Sequence, residues 1–202
     1  MNKSPWISMW TSPRETIREI LATNPKKGRF VLALIFGLQY VLGTYSNITQ
    51  LFEISSLVPF FILLILSPIV GYIWFYLYAF FLSLIGKLFK GKAPFSSVIA
   101  STAWANLPYV INLALAFLIL LLFVLHLITN IVLLPSGMSS FFALLSYTAP
   151  IWSFILLVNC MMEVQGFSVW KAVGNVLLAG LALGFIIGVS VFAISYYFIS
   201  IS

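Results

Sequence analysis

The stretch LVPFFILLILSPIVGYIWFYLYAFFLSLIG, residues 57–86, decides the fold of this chain. It contains no charged side chain, and a helix needs only about 20 apolar residues to cross roughly 30 Å of hydrocarbon. The stretch is longer than a straight span requires, and Pro68 with Gly71 offers a break or tilt that would accommodate the extra length. We therefore predict one bent transmembrane helix here.

Four further apolar stretches predict an all-α fold, a polytopic bundle of five membrane spans. The chain is 62% hydrophobic and 7% charged, which is more apolar surface than a soluble domain of 202 residues can bury. A segment over residues 1–29 precedes the membrane domain, residues 30–202, whose spans cover residues 30–46, 57–86, 108–128, 141–162 and 172–200. Pro108 separates the third span from a short amphipathic lead-in.

The ten Lys and Arg residues fall on alternate connections of this arrangement. Six precede the first span, three follow the second and one follows the fourth. Because cytoplasmic loops of membrane proteins are rich in Lys and Arg, we predict a cytoplasmic N-terminus and an external C-terminus. The net charge of +6 is explained by attraction to the lipid bilayer, so no nucleic-acid partner is expected.

One short amphipathic helix is predicted before the first span, over residues 13–23. Ser12 is the predicted N-cap of a capping box, and Asn24 supplies the stop. Apolar side chains fall on one face, with Arg14 and Arg18 largely elsewhere, so the helix can lie on the membrane surface. The alternative is that it forms a docking site for a cytosolic partner.

Residues that perform chemistry in enzymes are nearly absent. The chain has one His, one Cys, no Asp and four scattered Glu, so neither a hydrolytic triad nor a metal cluster can be assembled. We predict no catalytic residue, no cofactor, no metal and no enzymatic activity. Cys160 is interpreted as an apolar packing residue, and His126 as an interfacial or packed side chain.

Residues 86–93, GKLFKGKA, match the glycine and lysine spacing of a phosphate loop. They place Ala93 where such a loop needs Ser or Thr, and they follow a hydrophobic span rather than a strand. We interpret Lys87, Lys90 and Lys92 as topology determinants.

Gly180, Gly184 and Gly188 repeat every four residues in the fifth span. Such a stripe lets two helix backbones approach closely. A partner within the chain is preferred over a second copy, and a homo-oligomer is left open.

Four segments together resemble the Yip domain, named for Ypt-interacting proteins. They are SPRETIREI before the first span, SPIVGY in the second, APFSSVIASTAWANLP entering the third and EVQGFSVWKAV before the fifth. The resemblance covers about residues 5–195 and is most specific over residues 95–108 and 152–172. It implies five spans and a cytosolic N-terminus.

In eukaryotic members the resemblance also implies binding of prenylated Rab-type GTPases. The N-terminal segment here has only 29 residues and no counterpart of those members' Asp-Leu-Tyr-Gly-Pro motif, which weakens that expectation. The short form resembles the prokaryotic members. We therefore expect a multi-pass protein of the bacterial cytoplasmic membrane, or of an endomembrane in a eukaryote.

Two functions from different classes fit these features. The first is a non-enzymatic organiser that recruits a protein partner on the cytosolic side. Its predicted contacts with that partner or with anionic lipid are Arg14, Arg18, Lys87, Lys90 and Lys92. The alternative is a passive permease or lipid-handling protein with a polar path through the membrane. The residues predicted to line that path are Asn106, Pro108 and Asn112, beside Pro68 and Gly71.

Overall fold

The structure of this chain is a computed structural model that describes residues 4–52, 58–129 and 138–201. The described residues are helical almost throughout, and no strand occurs among them. In chain order the helices are α1 (Pro5–Thr11), α2 (Pro13–Thr23), α3 (Arg29–Phe52), α4 (Val58–Leu88), α5 (Phe95–Ala105), α6 (Tyr109–Thr129), α7 (Met138–Ser146), α8 (Thr148–Gln165) and α9 (Val169–Ile201). The prediction of an all-α fold is confirmed for this part of the chain.

Four segments are long and apolar enough to cross a membrane. They are Phe61–Leu88, Phe95–Ile119, Ser140–Gln165 and Val169–Ala193. Large apolar side chains on their outer surfaces are exposed, as Phe185 and Phe192 show at 73% each. Exposure of this kind suits helices that are surrounded by lipid rather than by water. Helix α3 adds 24 residues, of which Arg29–Leu42 forms a shorter apolar segment.

Helix α4 continues through Pro68 over 31 residues. Proline has no N–H, so the Leu64 carbonyl four residues earlier loses its usual donor. The Ser67 hydroxyl donates a hydrogen bond to that carbonyl at 2.7 Å. Serine side chains can satisfy backbone groups freed by proline in this way, which explains why α4 is not broken here.

Helices α3 and α4 cross at two glycines. A Cβ added at Gly37 would collide with the Ser67 carbonyl oxygen, and one added at Gly71 would collide with the Ala33 carbonyl oxygen. Gly71 therefore permits a close approach of two helix backbones, rather than the break in α4 that the sequence suggested. Gly37 was not singled out from the sequence.

The third predicted span follows a separate short helix, and the fourth predicted span is divided into two helices. A turn at residues 106–108 separates α5 from α6, next to Pro108 as predicted, whereas α7 and α8 meet at Tyr147. Helix α5 is not amphipathic, because every residue from Val98 to Ala105 is buried. It is enclosed by α2, α3, α4 and α8. The predicted amphipathic lead-in is therefore wrong, and this short helix lies at the centre of the core.

The N-terminal helices pack onto this core. Met9 and Ile17 are completely buried, and α2 contacts α5 and α8. The apolar face of α2 is thus covered by protein, and the position of this helix at the membrane surface stays a prediction. The predicted capping box is also wrong, since the Ser12 side chain makes no capping hydrogen bond. Asn24 does cap the C-terminus of α2.

Candidate interaction surface at the basic end

The chain segments that carry the positive charges meet at one end of the bundle, which we call the basic end. It comprises residues 4–29, 86–96 and 163–171. Two of the long-range hydrogen bonds at this end connect residues 27 and 29 to α5. Trp104 Nε1 donates to the Lys27 carbonyl at 3.1 Å, and Arg29 Nη2 donates to the Ser96 carbonyl at 2.8 Å. All five predicted contact residues, Arg14, Arg18, Lys87, Lys90 and Lys92, therefore lie at this end.

Trp104 joins the N-terminal segment to α5. Its side chain is completely buried, and its ring centroid lies 5.0 Å from that of Trp6. Gly28 packs against the same ring with φ at 73°, and a Cβ added there would lie 2.8 Å from Trp104 Cζ2. Only glycine meets both conditions without strain, because other residues disfavour a positive φ.

Arg14 and Arg18 both form ion pairs with Glu163 near the end of α8. Their Nε atoms lie 3.4 and 2.7 Å from the two Glu163 carboxylate oxygens. The hydrogen bond with Glu163 raises the pKa of Arg18. Exposed ion pairs contribute little to stability, and both arginine side chains are about half exposed or more, at 49% and 65%. The pairs therefore contribute to the orientation of α2, whereas its attachment to the bundle depends on its buried apolar face.

The end of α4 and its connection to α5, residues 86–94, form a segment that we call the lysine loop. Helix α4 ends in a Schellman motif, in which Gly91 N–H donates to the Gly86 carbonyl at 2.8 Å and Lys90 N–H to the Lys87 carbonyl at 3.0 Å. Lys90 has a φ of 64°, a left-handed conformation that usually requires glycine. The motif turns the chain sharply, so that three lysines follow one another on a short exposed loop.

Gln165 at the end of α8 fixes the lysine loop. Its Oε1 accepts a hydrogen bond from Ala93 N–H at 3.0 Å. Side chains at Gly86 or Gly91 would collide with Gln165. Within the described ranges, no carboxylate forms an ion pair with the three lysines, since both ion pairs found there belong to Glu163. The lysine loop therefore has a fixed backbone, and its three lysines form no ion pair with a carboxylate of the described residues.

A groove of about 420 Å³ lies between the end of α4 and the start of α5, and we call it the α4–α5 groove. Its lining combines apolar side chains with one lysine and one serine: Phe80, Ser83, Leu84, Lys87, Ala93, Pro94 and Phe95. The Ser83 hydroxyl oxygen is buried and finds no hydrogen-bond partner among the described residues. The volume falls within the usual range of ligand sites, about 300–1,000 Å³.

A second cavity, of about 270 Å³, is lined by residues of α3, α4, α6, α8 and α9. Asn106 and Tyr78 line it, together with Tyr109 and Ser153. Asn106 Nδ2 donates a hydrogen bond at 2.7 Å to the carbonyl of Thr102, which lies four residues earlier in the chain. Four residues predicted for a polar path do not line this cavity: Pro68, Gly71, Pro108 and Asn112. Of that predicted set, only Asn106 lines this cavity.

The glycine stripe in α9 has no close partner within the described part of the chain. A Cβ added at Gly184 or Gly188 would meet no atom within 4 Å, and at Gly180 the nearest is Tyr78 Oη at 3.8 Å. The preference for a partner helix within the chain is thus not supported there. Gly180 and Gly184 instead line the second cavity.

Two side-chain amides in α8 and α9 differ in their hydrogen-bond partners. Asn159 Nδ2 donates to the Ile155 carbonyl at 2.8 Å, whereas Asn175 Nδ2 donates across to the Leu82 carbonyl of α4 at 3.0 Å. Cys160 is fully buried in the core. The side chain of His126 lies outside the described part of the structure. In the regions that are described, no group of three or more His, Cys, Asp or Glu residues could hold a metal ion.

Sequence reasoning missed the residues that assemble the basic end, namely Gly28, Trp104 and Gln165. Trp104 and Gln165 stand inside segments that resemble the Yip domain, and this was the only signal that could have pointed to them. Comparison with known proteins is consistent with that signal. The sequence model of the family described as the Yip1 domain matches residues 7–192, which confirms the resemblance. No curated protein and no solved structure matches the chain.

Proposed function

This chain belongs to the Yip1 domain family and is an integral, multi-pass membrane protein, and on that premise we propose that it is a non-enzymatic organiser that recruits a protein partner. The observation that carries the proposal is the docking of α2 on the bundle. Ile17 and Ile20 are buried at 0% and 1%, while the opposite face of the same helix is exposed. A helix held in this way presents its charges in a fixed arrangement.

The exposed face of α2 has a pattern of alternating charge. Arg14, Glu15, Arg18 and Glu19 are all exposed there. Because the two arginines are oriented by Glu163 of α8, a partner that meets this face would order few side chains on binding. Charges fixed in advance favour a partner of complementary charge and disfavour others.

Charge reversal on α2 tests the recruitment. We expect Glu15→Lys combined with Glu19→Lys to reduce the co-purifying partner by about tenfold or more, because like charges placed opposite each other cost several kcal/mol. The measurement is quantitative mass spectrometry of proteins recovered with the full chain from detergent extracts. Lys171→Glu is the control, since this exposed residue lies at the same end but outside α2. Identical protein lists from all three chains would contradict the proposal.

We also propose five membrane crossings, with the basic end in the cytoplasm. Helix α3 supplies the fifth, because its 24 residues span about 36 Å at 1.5 Å per residue. The distribution of Lys and Arg over alternate connections supports the orientation. Reporters fused to the two termini should show activity in opposite compartments. Activity of both in the same compartment would overturn the five-crossing arrangement.

The second cavity favours a second candidate function, passage of a small solute or a lipid. Among its polar side chains, Asn106 lies at the break between α5 and α6, and Ser153 lines the cavity from α8. Polar groups at a broken membrane helix are tolerated where they line a cavity. Liposomes that contain the purified protein would then pass a solute or a lipid faster than empty liposomes. Equal rates over a broad panel would remove this candidate.

A further inference from the structure

We propose that the α4–α5 groove is a binding site for one anionic phospholipid, whose phosphate lies at Lys87 and one of whose acyl chains lies along the apolar wall. This inference rests on the proposed topology, in which the basic end meets the cytoplasmic surface of the membrane. It goes further by assigning the lysine loop a ligand of its own.

The wall of the groove suits a hydrocarbon chain. Phe80, Leu84 and Phe95 line it, and they are exposed at 53%, 49% and 42%. Large apolar side chains that remain exposed are stabilised when hydrocarbon covers them. The groove begins at the end of a membrane-spanning segment, Phe61–Leu88, so an acyl chain can enter it from the bilayer.

The charge at the mouth of the groove suits a phosphate. Lys87 lines the groove directly, and Lys90 and Lys92 follow on the same loop. The described residues place no carboxylate in an ion pair with these lysines, so their charge is left for a ligand. Lysine side chains at a membrane surface are attracted to anionic headgroups, by about a factor of five in binding for each residue.

The Ser83 hydroxyl adds a polar group to the same lining. Its oxygen is buried without a hydrogen-bond partner in the described structure, although buried polar atoms are normally satisfied. Free phosphate would satisfy the lysines but would leave the apolar wall uncovered, and for that reason we assign the site to a phospholipid.

The site is formed in advance. The Schellman motif and Gln165 fix the backbone of the lysine loop, and Phe89 packs against Phe167 with ring centroids 6.3 Å apart. Little of the loop therefore needs to be ordered when a ligand binds, which favours affinity.

Native mass spectrometry of the full chain in detergent tests the site. Phosphatidylglycerol and phosphatidylcholine with the same acyl chains serve as probes. We expect one phosphatidylglycerol to be retained in preference to phosphatidylcholine, and Lys87→Ser with Lys90→Ser and Lys92→Ser to lower that retention by about fivefold for each lysine that contacts the headgroup. Replacement of Lys26, Lys27 and Lys171 by serine removes the same amount of charge from the same end and should leave retention of phosphatidylglycerol unchanged.

A second pair of variants tests the groove itself. Leu84→Trp fills it while all lysines remain, and should abolish the preference for phosphatidylglycerol. Leu181→Trp is the matched control, because Leu181 is exposed at 70% on α9, away from the groove. Equal retention of the two lipids by the unaltered chain, or equal loss from both lysine triples, would overturn the site. Binding of an acidic peptide in place of the lipid would also overturn it. These results do not depend on α2, so failure here is distinguishable from failure of partner recruitment.

Discussion

Lys90 occupies a backbone conformation that favours glycine, with φ at 64°. For a residue with a Cβ, the left-handed conformation costs about 1–2 kcal/mol, and glycine avoids this cost while losing about 0.5–1 kcal/mol in chain entropy. We therefore expect Lys90→Gly to raise the apparent melting temperature slightly, as followed by tryptophan fluorescence in detergent.

Lys92→Gly is the control for this change. It also replaces a lysine of the same loop with glycine, but Lys92 is not among the residues with a positive φ. It should therefore lower the melting temperature or leave it unchanged. Equal shifts in the two variants would show that the conformation of Lys90 is not strained.

Single residues show where sequence reasoning reached its limit. The stop at Asn24 was predictable, because a helix end has a local signal in the residues around it. The Trp104 contact with Lys27 was not predictable, because these residues lie 77 positions apart. Glu163 likewise bonds to Arg18 across 145 positions, and nothing in one sequence indicates which helix faces meet.

At the scale of elements, the α3–α4 crossing depends on the absence of a side chain at Gly37. We expect Gly37→Ala to destabilise the protein by about 1–3 kcal/mol, since even a methyl group forces the two backbones apart. The measurement is the temperature at which half of the protein is lost from the monodisperse peak on size-exclusion chromatography. Gly184→Ala is the matched control, because a Cβ there meets no described atom within 4 Å. If Gly37→Ala loses half of its monodisperse peak at the same temperature as the unaltered protein, the close crossing is contradicted.

The elements themselves were largely predictable and their contacts were not. Apolar runs longer than a membrane is thick indicate helices, and α4 lies where its run predicts. The regular spacing of Gly184 and Gly188 suggested close packing, yet the described residues supply no partner there. The isolated Gly37 has no such pattern, although it lies at a helix crossing. A regular spacing of glycines indicates that a helix face permits close packing, whereas an actual contact depends on the presence of a partner helix.

At the scale of the whole molecule, hydrophobic burial attaches the N-terminal helices to the bundle. We expect Ile17→Ala to cost about 2–5 kcal/mol, because Ile17 is completely buried. Trypsin should then cleave after Arg14 or Arg18 at least about tenfold faster. Glu163→Gln should give a smaller increase, since both arginines in the ion pairs that it removes are exposed to solvent.

Ile7→Ala is the control for this comparison, because Ile7 lies in the neighbouring helix and is exposed at 66%. It should leave the rate of cleavage unchanged. A larger increase for Glu163→Gln than for Ile17→Ala would show that the ion pairs, rather than the buried face, fix α2.

The attachment of α2 to α8 also sets an order of events during biosynthesis. Arg18 leaves the ribosome long before Glu163, which follows it by 145 residues. At about 5–20 residues per second, translation of the intervening chain takes roughly 7–30 s. During that interval α2 lacks its contacts with α8, and its apolar side is open to chaperones or to the insertion machinery. Helix α2 is therefore synthesised well before α8 but reaches its final place only after α8 is made.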